Sequence, residues 1–166
     1  QTSKPVPAAL REVLQAFEAG EPMLDVRVGD WPSLGAAAAP IRRAVFTQEQ
    51  GIDAALDGDD ADAAAVHALA FNRLGVALGT GRLTTHAPGV GKIGRMAVIA
   101  SLRGSTVGRQ LLDALVQAAR SRGDREVMLH AQASAVGFYR SHGWQPRGPV
   151  FEEAGIEHQE MVLPLN

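Results

Sequence analysis

The sequence predicts a mixed α/β (α+β) domain: one layer of strands with helices on its faces. Three observations predict it. The segments run as strands, then a strand–helix–strand unit, then a short helix and more strands. The stretch from about Thr106 to Arg122 sets Val107, Leu111, Leu112, Leu115 and Ala119 on one side and Arg109, Asp113, Gln117 and Arg120 on the other, which is the spacing of an amphipathic helix. With 166 residues, 46% of them apolar, the chain can close one hydrophobic core of ordinary single-domain size.

Residues 1–22 read as an N-terminal helical arm ahead of a main domain of residues 23–166. Pro5 and Pro7 precede Leu10, Val13, Leu14 and Phe17 on one helical face, and Gly20 and Pro22 end it. The arm packs on the main domain or, in a sharper reading, serves as a homodimer contact. "MLDVRVGD", from Met23, alternates as a half-buried strand. Ser33 can cap the helix that follows, which Pro40 should break or kink before Ile41–Phe46. The acidic run Asp57-Gly58-Asp59-Asp60-Ala61-Asp62 reads as a solvated turn, because Asp62 stands where a calcium loop needs glycine. "AAVHALAF" and "VALGTGRL", parted by Asn72, Arg73 and Gly75, form a hairpin, and a turn at Pro88-Gly89 follows. After it come a strand from about Lys92 to Ile99, the amphipathic helix, the strand "REVMLHAQ", the short helix "SAVGFYRSHG", and closing strands around Trp144 and from His158 to Leu165.

Composition narrows the function. A formal net charge of -2 provides no broad field for nucleic acid or anionic lipid, so a small, roughly neutral partner fits better. No window approaches the roughly 18 apolar residues of a membrane span, and Gln1–Lys4 lacks the form of a signal peptide, so a cytoplasmic protein is expected. The chain has no cysteine, which removes disulfides, thiolate zinc sites and any acyl-enzyme on a protein thiol. His67 and His86 have no second ligand at helical or hairpin spacing, so no metal is expected.

Two glycine clusters compete as a phosphate cradle. Gly89-Val90-Gly91-Lys92-Ile93-Gly94 spells G-x-G-x-x-G, but strand-like Met96–Ile99 follows it where a dinucleotide site needs a helix N-terminus, so it reads as a hairpin loop entering a strand. Ile93 after Lys92 also rules out a P-loop. Arg103-Gly104-Ser105-Thr106-Val107-Gly108 has the geometry that the first cluster lacks. A strand delivers the chain to it, a helix starts from it, and Arg103 and Arg109 add positive charge at that end. These features predict an anion site at a helix start.

"MAVIASLRGSTVGRQLLDALVQAARSRG", followed by "VMLHAQASAVGFYRSHGW", resembles the acyl-CoA-binding core of the GNAT superfamily of N-acetyltransferases. "IRRAVFTQEQG" and "GIEHQEMVL" bring it nearest the small ElaA-like branch, and the likeness covers roughly residues 23–166. The resemblance implies a mostly antiparallel central sheet, acetyl-CoA as cofactor, and direct transfer of an acetyl group to a primary amine of a small molecule or peptide. It implies that residues 103–109 form the pyrophosphate loop, in which Arg103 and Gly108 match the Q/R-x-x-G-x-G/A pattern and Thr106 replaces its first glycine. The main chain of Met96, Ala97 and Val98 would hold the pantetheine arm. Gln132–Tyr139 stands for the family's N-x-x-A-x-x-F-Y, with Gln132 for asparagine and Phe138 beside the cofactor.

An alkyl ammonium of pKa ~10.4 must lose a proton before it can attack a thioester, and the leaving thiol, of pKa ~8.5, can take one from a neighbouring phenol. The resemblance puts Tyr139, the sequence's one tyrosine, at the sulfur as general acid, whereas by itself Tyr139 reads rather as a packed aromatic on a short helix. Gly94, Arg95 and Met96 supply no strand glutamate as base. Glu49, His130 and His158 are the candidates, with an ordered water relay as rival. The altered loop and the missing glutamate leave open a non-catalytic acyl-CoA-binding or protein-interaction module. A dinucleotide oxidoreductase rests on "GVGKIG" alone.

Overall fold

The computed structural model describes residues 24–51, 60–99 and 106–165, together with residues 7, 8, 10–12 and 15. The helical arm of residues 1–22 therefore lies largely outside the described residues. Among the described residues, seven strands form one sheet in the order β1-β2-β3-β4-β5-β7-β6. They are β1 (Leu24–Gly29), β2 (Val66–Asn72), β3 (Ala77–Ala87), β4 (Val90–Val98), β5 (Glu126–Gln132), β6 (Gln145–Glu153) and β7 (Ile156–Pro164). β4 and β5 pair in parallel, and every other neighbouring pair is antiparallel. A parallel pair needs a crossover, which α3 (Val107–Ser121) supplies. The expected mixed, mostly antiparallel sheet flanked by helices is what the chain forms.

One face of the sheet is covered by α3. Leu111, Leu115 and Ala119 are fully buried there with Leu83, Ile93, Leu129, Trp144 and Met161. Glycines on β3 let the helix come close. A Cβ at Gly79 would lie 2.9 Å from Leu111, and one at Gly81 would collide with the Met96 thioether and with Leu115. Each fully buried leucine contributes roughly 1.5–3 kcal/mol, so this contact dominates the core. The opposite face of β2–β4 is covered by α1 (Trp31–Arg42), through Leu34, Ala38 and Ile41 against Leu69 and Ala97.

Three local expectations are corrected. Asp30, not Ser33, caps α1: its carboxylate accepts from the Ser33 N–H at 2.9 Å, and hydrogen bonding from the Ser33 side chain, then from its backbone, holds the Asp30 pKa below the ordinary carboxylate value. Pro32 already occupies the first helical turn, which places the cap three residues before Ser33. Pro40 does not break the helix. It sits inside α1, and just beyond it the helix continues as a π-helical segment, Arg43–Glu49. The acidic run is not wholly solvated either. Asp62, in the short helix α2 (Ala61–Ala64), is only 6% exposed and bonds Arg42 and Arg82.

The "GVGKIG" cluster is a turn and a strand. Gly89, at φ 75, makes the turn that only a residue without Cβ takes easily, and Val90–Gly94 begins β4. No helix starts from it, as its context predicted. Further along β4, Thr80 pairs with Ala97 while Arg82 pairs with Gly94, so Arg95 and Met96 together oppose Gly81 in a bulge. Arg95 takes φ 49 there, a left-handed conformation uncommon for a residue with a side chain. The bulge reverses the alternation, so Ile93, Met96 and Val98 all pack toward α3 while Ala97 packs toward α1.

Candidate active site

The parallel ladder between β4 and β5 ends at Ile93 and Leu129. Beyond that point β4 stays on β3 as far as Val98, while His130, Ala131 and Gln132 of β5 pair with β7. The two strands therefore part, and a cavity of about 500 Å³ opens where they do. Its lining includes Gly94, Arg95 and Met96 on one side, His130, Gln132 and Tyr139 on the other, with Phe46 of the π-helical segment and Gln50 just after it.

Met96, Ala97 and Val98 direct their side chains into the two cores, so main chain is what the β4 wall presents along the parting. The opposite wall is made of side chains. His130 Nδ1 donates to the Glu153 carboxylate at 3.1 Å, and the ring packs edge-on against Phe151 at 4.9 Å. A carboxylate can only accept, so Nδ1 carries the hydrogen, and in the neutral imidazole the lone pair is then on Nε2. His158 also lines the cavity, but its Nδ1 is tied at 2.7 Å to the Ile156 carbonyl. Gln132 ends β5 and is exposed at the rim.

Tyr139 lies on α4 (Val136–Ser141), which a single 3-10 turn, Ala133–Ala135, joins to β5. Its ring packs edge-on against Trp144 at 5.8 Å and against Phe138 at 5.3 Å, and burial pushes its phenol pKa above the ordinary value. Both sequence readings of Tyr139 thus meet in one residue, since it packs on the core and also lines the cavity. Phe138 is 44% exposed and stacks obliquely on His142.

The start of α3 stands next to the end of β4. Thr106 occupies the cap position, but its side chain caps nothing; its hydroxyl accepts from Gln110 Nε2 at 3.1 Å. The N–H groups of a first helical turn have no acceptor within their own helix, so this end can receive an anion. A Cβ at Gly108 would meet Val98 at an ordinary 3.7 Å. Val107 is buried in the core, and Arg109 is exposed, with Nε 4.0 Å from Asp113. Arg103, Gly104 and Ser105 lie outside the described residues, as does the side chain of Glu49, whose segment nonetheless brings Phe46 and Gln50 to the cavity.

The structure thus brings Tyr139, His130, His158, Gln132 and Met96 to one cavity. Sequence reasoning missed Glu153, Arg82 and Lys92, which line it too. For Glu153 a signal was present: "EEAG" must turn between two closing strands, and that turn brings β6 back beside the histidines of β5 and β7. Among the described residues, no helix is long and apolar enough to cross a membrane.

Comparison with known proteins agrees with this geometry. The model of the acetyltransferase (GNAT) domain family matches residues 41–165. YjcF of Bacillus subtilis, an uncharacterized N-acetyltransferase, is 32% identical over 124 residues, covering 74% of this chain and 86% of its own. ElaA of Escherichia coli is 41% identical over 71 residues, 42% of this chain and 46% of its own. The ElaA crystal structure superposes with a TM-score of 0.75 over 85% of this chain and 99% of its own, at 29% identity. An acyl-CoA N-acyltransferase from Pseudomonas aeruginosa superposes at 0.76, also with 29% identity, over 84% of this chain and 99% of its own. The family match, the shared fold and a parted β4–β5 pair with a histidine and a tyrosine at its mouth lead to one conclusion: this chain belongs to the GNAT family and is an acyltransferase whose donor is an acyl-CoA.

Proposed function

We propose that the protein moves an acetyl group from acetyl-CoA directly to a primary amine of a small molecule, with His130 as general base and Tyr139 as general acid. The observation that carries this reading is a single cavity shared by the parted end of β4, an oriented histidine and a half-buried phenol. The residues present fit an acyl-CoA: β4 offers main chain beyond Ile93, and α3 begins beside it without a side-chain cap. On this reading Met96, Ala97 and Val98 hold the pantetheine arm. Residues 103–109 hold the diphosphate, with Gln132 and Phe138 flanking the cofactor. Acyl-CoA, when bound, supplies an acyl group already activated as a thioester.

The remaining chemistry falls to side chains. Only about one alkyl ammonium in a few thousand is deprotonated at neutral pH. His130 Nε2 removes that proton, while Glu153 fixes the ring through Nδ1 and stabilises the imidazolium that results. Tyr139 keeps its proton across the neutral range because burial raises its pKa. It delivers that proton from Oη to the leaving sulfur. An unshifted phenol, pKa ~10, gives a proton to a thiolate of pKa ~8.5 at a cost of about 2 kcal/mol, and burial of Tyr139 adds to that cost.

Two measurements test the reading. Acetyl-CoA at about 100 times its Kd stabilises by ~2.7 kcal/mol, which raises Tm by roughly 5–10 °C, whereas NADH leaves Tm where it is. Thiol release with a panel of primary amines then measures turnover. If no acyl-CoA shifts melting at millimolar concentration, the proposal fails. Binding without turnover across the panel, indifferent to Tyr139→Phe, would identify an acyl-CoA-binding module in its place.

A further inference from the structure

The reaction above leaves part of the cavity wall without a role. Thr84 pairs with Lys92, Arg82 pairs with Gly94, and Lys92 pairs with Met128, so register places all of them on the sheet face that also carries His130 and His158. Arg82 is 9% exposed and lines the cavity. Its Nη1 lies 2.9 Å from Asp62 Oδ1, and that same oxygen takes Arg42 Nη1 at 2.9 Å. The Asp62 carboxylate thus sets the direction of the Arg82 guanidinium before any ligand arrives, the preorganisation that an anion-binding fork requires. Half-buried Lys92 lies on the next strand. Between these cations and His130 the floor is Gly94, where a Cβ would meet nothing within 4 Å. Among the described residues, Arg82, Lys92 and Arg95 line the cavity together with one carboxylate residue, Glu153, which is engaged by His130.

We infer that the acceptor is an amino acid in the broad sense, a small molecule whose carboxylate is received by Arg82 and Lys92 while its chain crosses Gly94 and its amine meets His130. This rests on the N-acetyltransferase reading above and names its substrate class. A basic wall repels a polyamine or a cationic peptide and attracts an amine that carries its own anion, so the same charges both select and exclude. The carboxylate also fixes which end of the molecule reaches the base.

The test uses ω-amino acids of increasing chain length, from glycine to aminohexanoate, each paired with its own carboxamide. The wild-type protein is expected to favour the carboxylate at least tenfold in kcat/KM at the best length, mainly through KM. Lys92→Gln and Arg82→Gln are expected to bring that ratio toward one. Arg82 is buried, so if its variant does not fold, Lys92→Gln decides alone. An amide used as well as its acid, or a ratio that survives Lys92→Gln, overturns the inference. An acetyl-CoA Kd weakened by Lys92→Gln as much as the acceptor KM also overturns it, because the cation would then serve the donor. If no amine releases thiol, the acetyltransferase reading fails, and the carboxylate site is judged by binding. An N-acetyl amino acid that raises Tm where its amide does not supports the site, and equal shifts or none refute it.

Discussion

The two walls of the cleft are made of different material. On the β4 side a bulge at Arg95 turns Met96, Ala97 and Val98 into the cores and leaves backbone along the parting. On the β5 side the same parting presents His130, Gln132 and, one turn later, Tyr139. A wall of main chain recognises a ligand by its extended shape and its amides, whatever residue types build it. A wall of side chains does proton chemistry, and each of its residues matters separately. If β4 serves the donor and β5 the reaction, substitutions on the two sides should fail in different ways.

The largest expected effect is on the side-chain wall. His130→Ala should lower kcat/KM by roughly 10²–10⁴, the usual contribution of a positioned acid or base, while acetyl-CoA still raises Tm by the wild-type amount. Glu153→Gln should cost about tenfold, since it loosens the ring without removing Nε2. Tyr139→Phe should cost roughly 10–10² and leave donor binding in place. Because burial lifts the Tyr139 pKa above the ordinary phenol value, near 10, the wild-type rate should show no alkaline decline from this group below about pH 10. Loss of acetyl-CoA binding in any of the three would blur the division between the walls.

Next comes a change in the shared support. Burial opposes the charge on Asp62, but hydrogen bonds and charge from Arg42 and Arg82 outweigh it and hold its pKa below the ordinary 3.8. The stability this contributes is fully present above the unfolded pKa and disappears as pH falls through the lowered folded value. Asp62→Asn leaves two guanidiniums facing each other without their carboxylate and should cost about 3–5 kcal/mol, or roughly 6–20 °C in Tm. Its stability should also lack the acid limb that the wild type shows below about pH 4. A variant as stable as the wild type would show that the cluster is not what supports the β3 side of the cavity.

What could be read in advance follows the same division. The helix Val107–Ser121 and the strand Glu126–Gln132 were legible because apolar spacing alone specifies them. Tyr139, which lines the cavity, was legible as a pattern shared with a family, while the loop before α3 lies outside the described residues. Asp62 was not, because its partners Arg42 and Arg82 each lie 20 residues away, and within its own stretch it looks like one more hydrated acid. Nor was the bulge: nothing in "GKIGRMAV" tells which residue will take the left-handed conformation, since β3 and β4 settle that together through register. The third base candidate, Glu49, read as the end of a helix, yet the chain reaches it through a π-helical segment. Propensity does not distinguish a π-helical segment from the α-helix that it continues.

The smallest effect probes the main-chain wall most directly. Thr106 stands where the family pattern has glycine, which raises the question of whether its Cβ crowds the diphosphate. Its backbone, at φ -82 and ψ 1, lies in a region any residue adopts, so glycine would relieve no strain. Its hydroxyl bonds Gln110 and caps nothing, so glycine would give up no cap. Glycine would instead loosen the unfolded and loop ensembles, at a few tenths to about 1 kcal/mol. Thr106→Gly should therefore lower Tm by no more than about 2–4 °C and weaken the acetyl-CoA Kd by at most roughly threefold, as measured by calorimetry. Tightening of tenfold or more would mean that the Cβ does press on the ligand. The donor wall would then depend on side-chain identity after all, and the contrast between the two sides of the cleft would lose its basis.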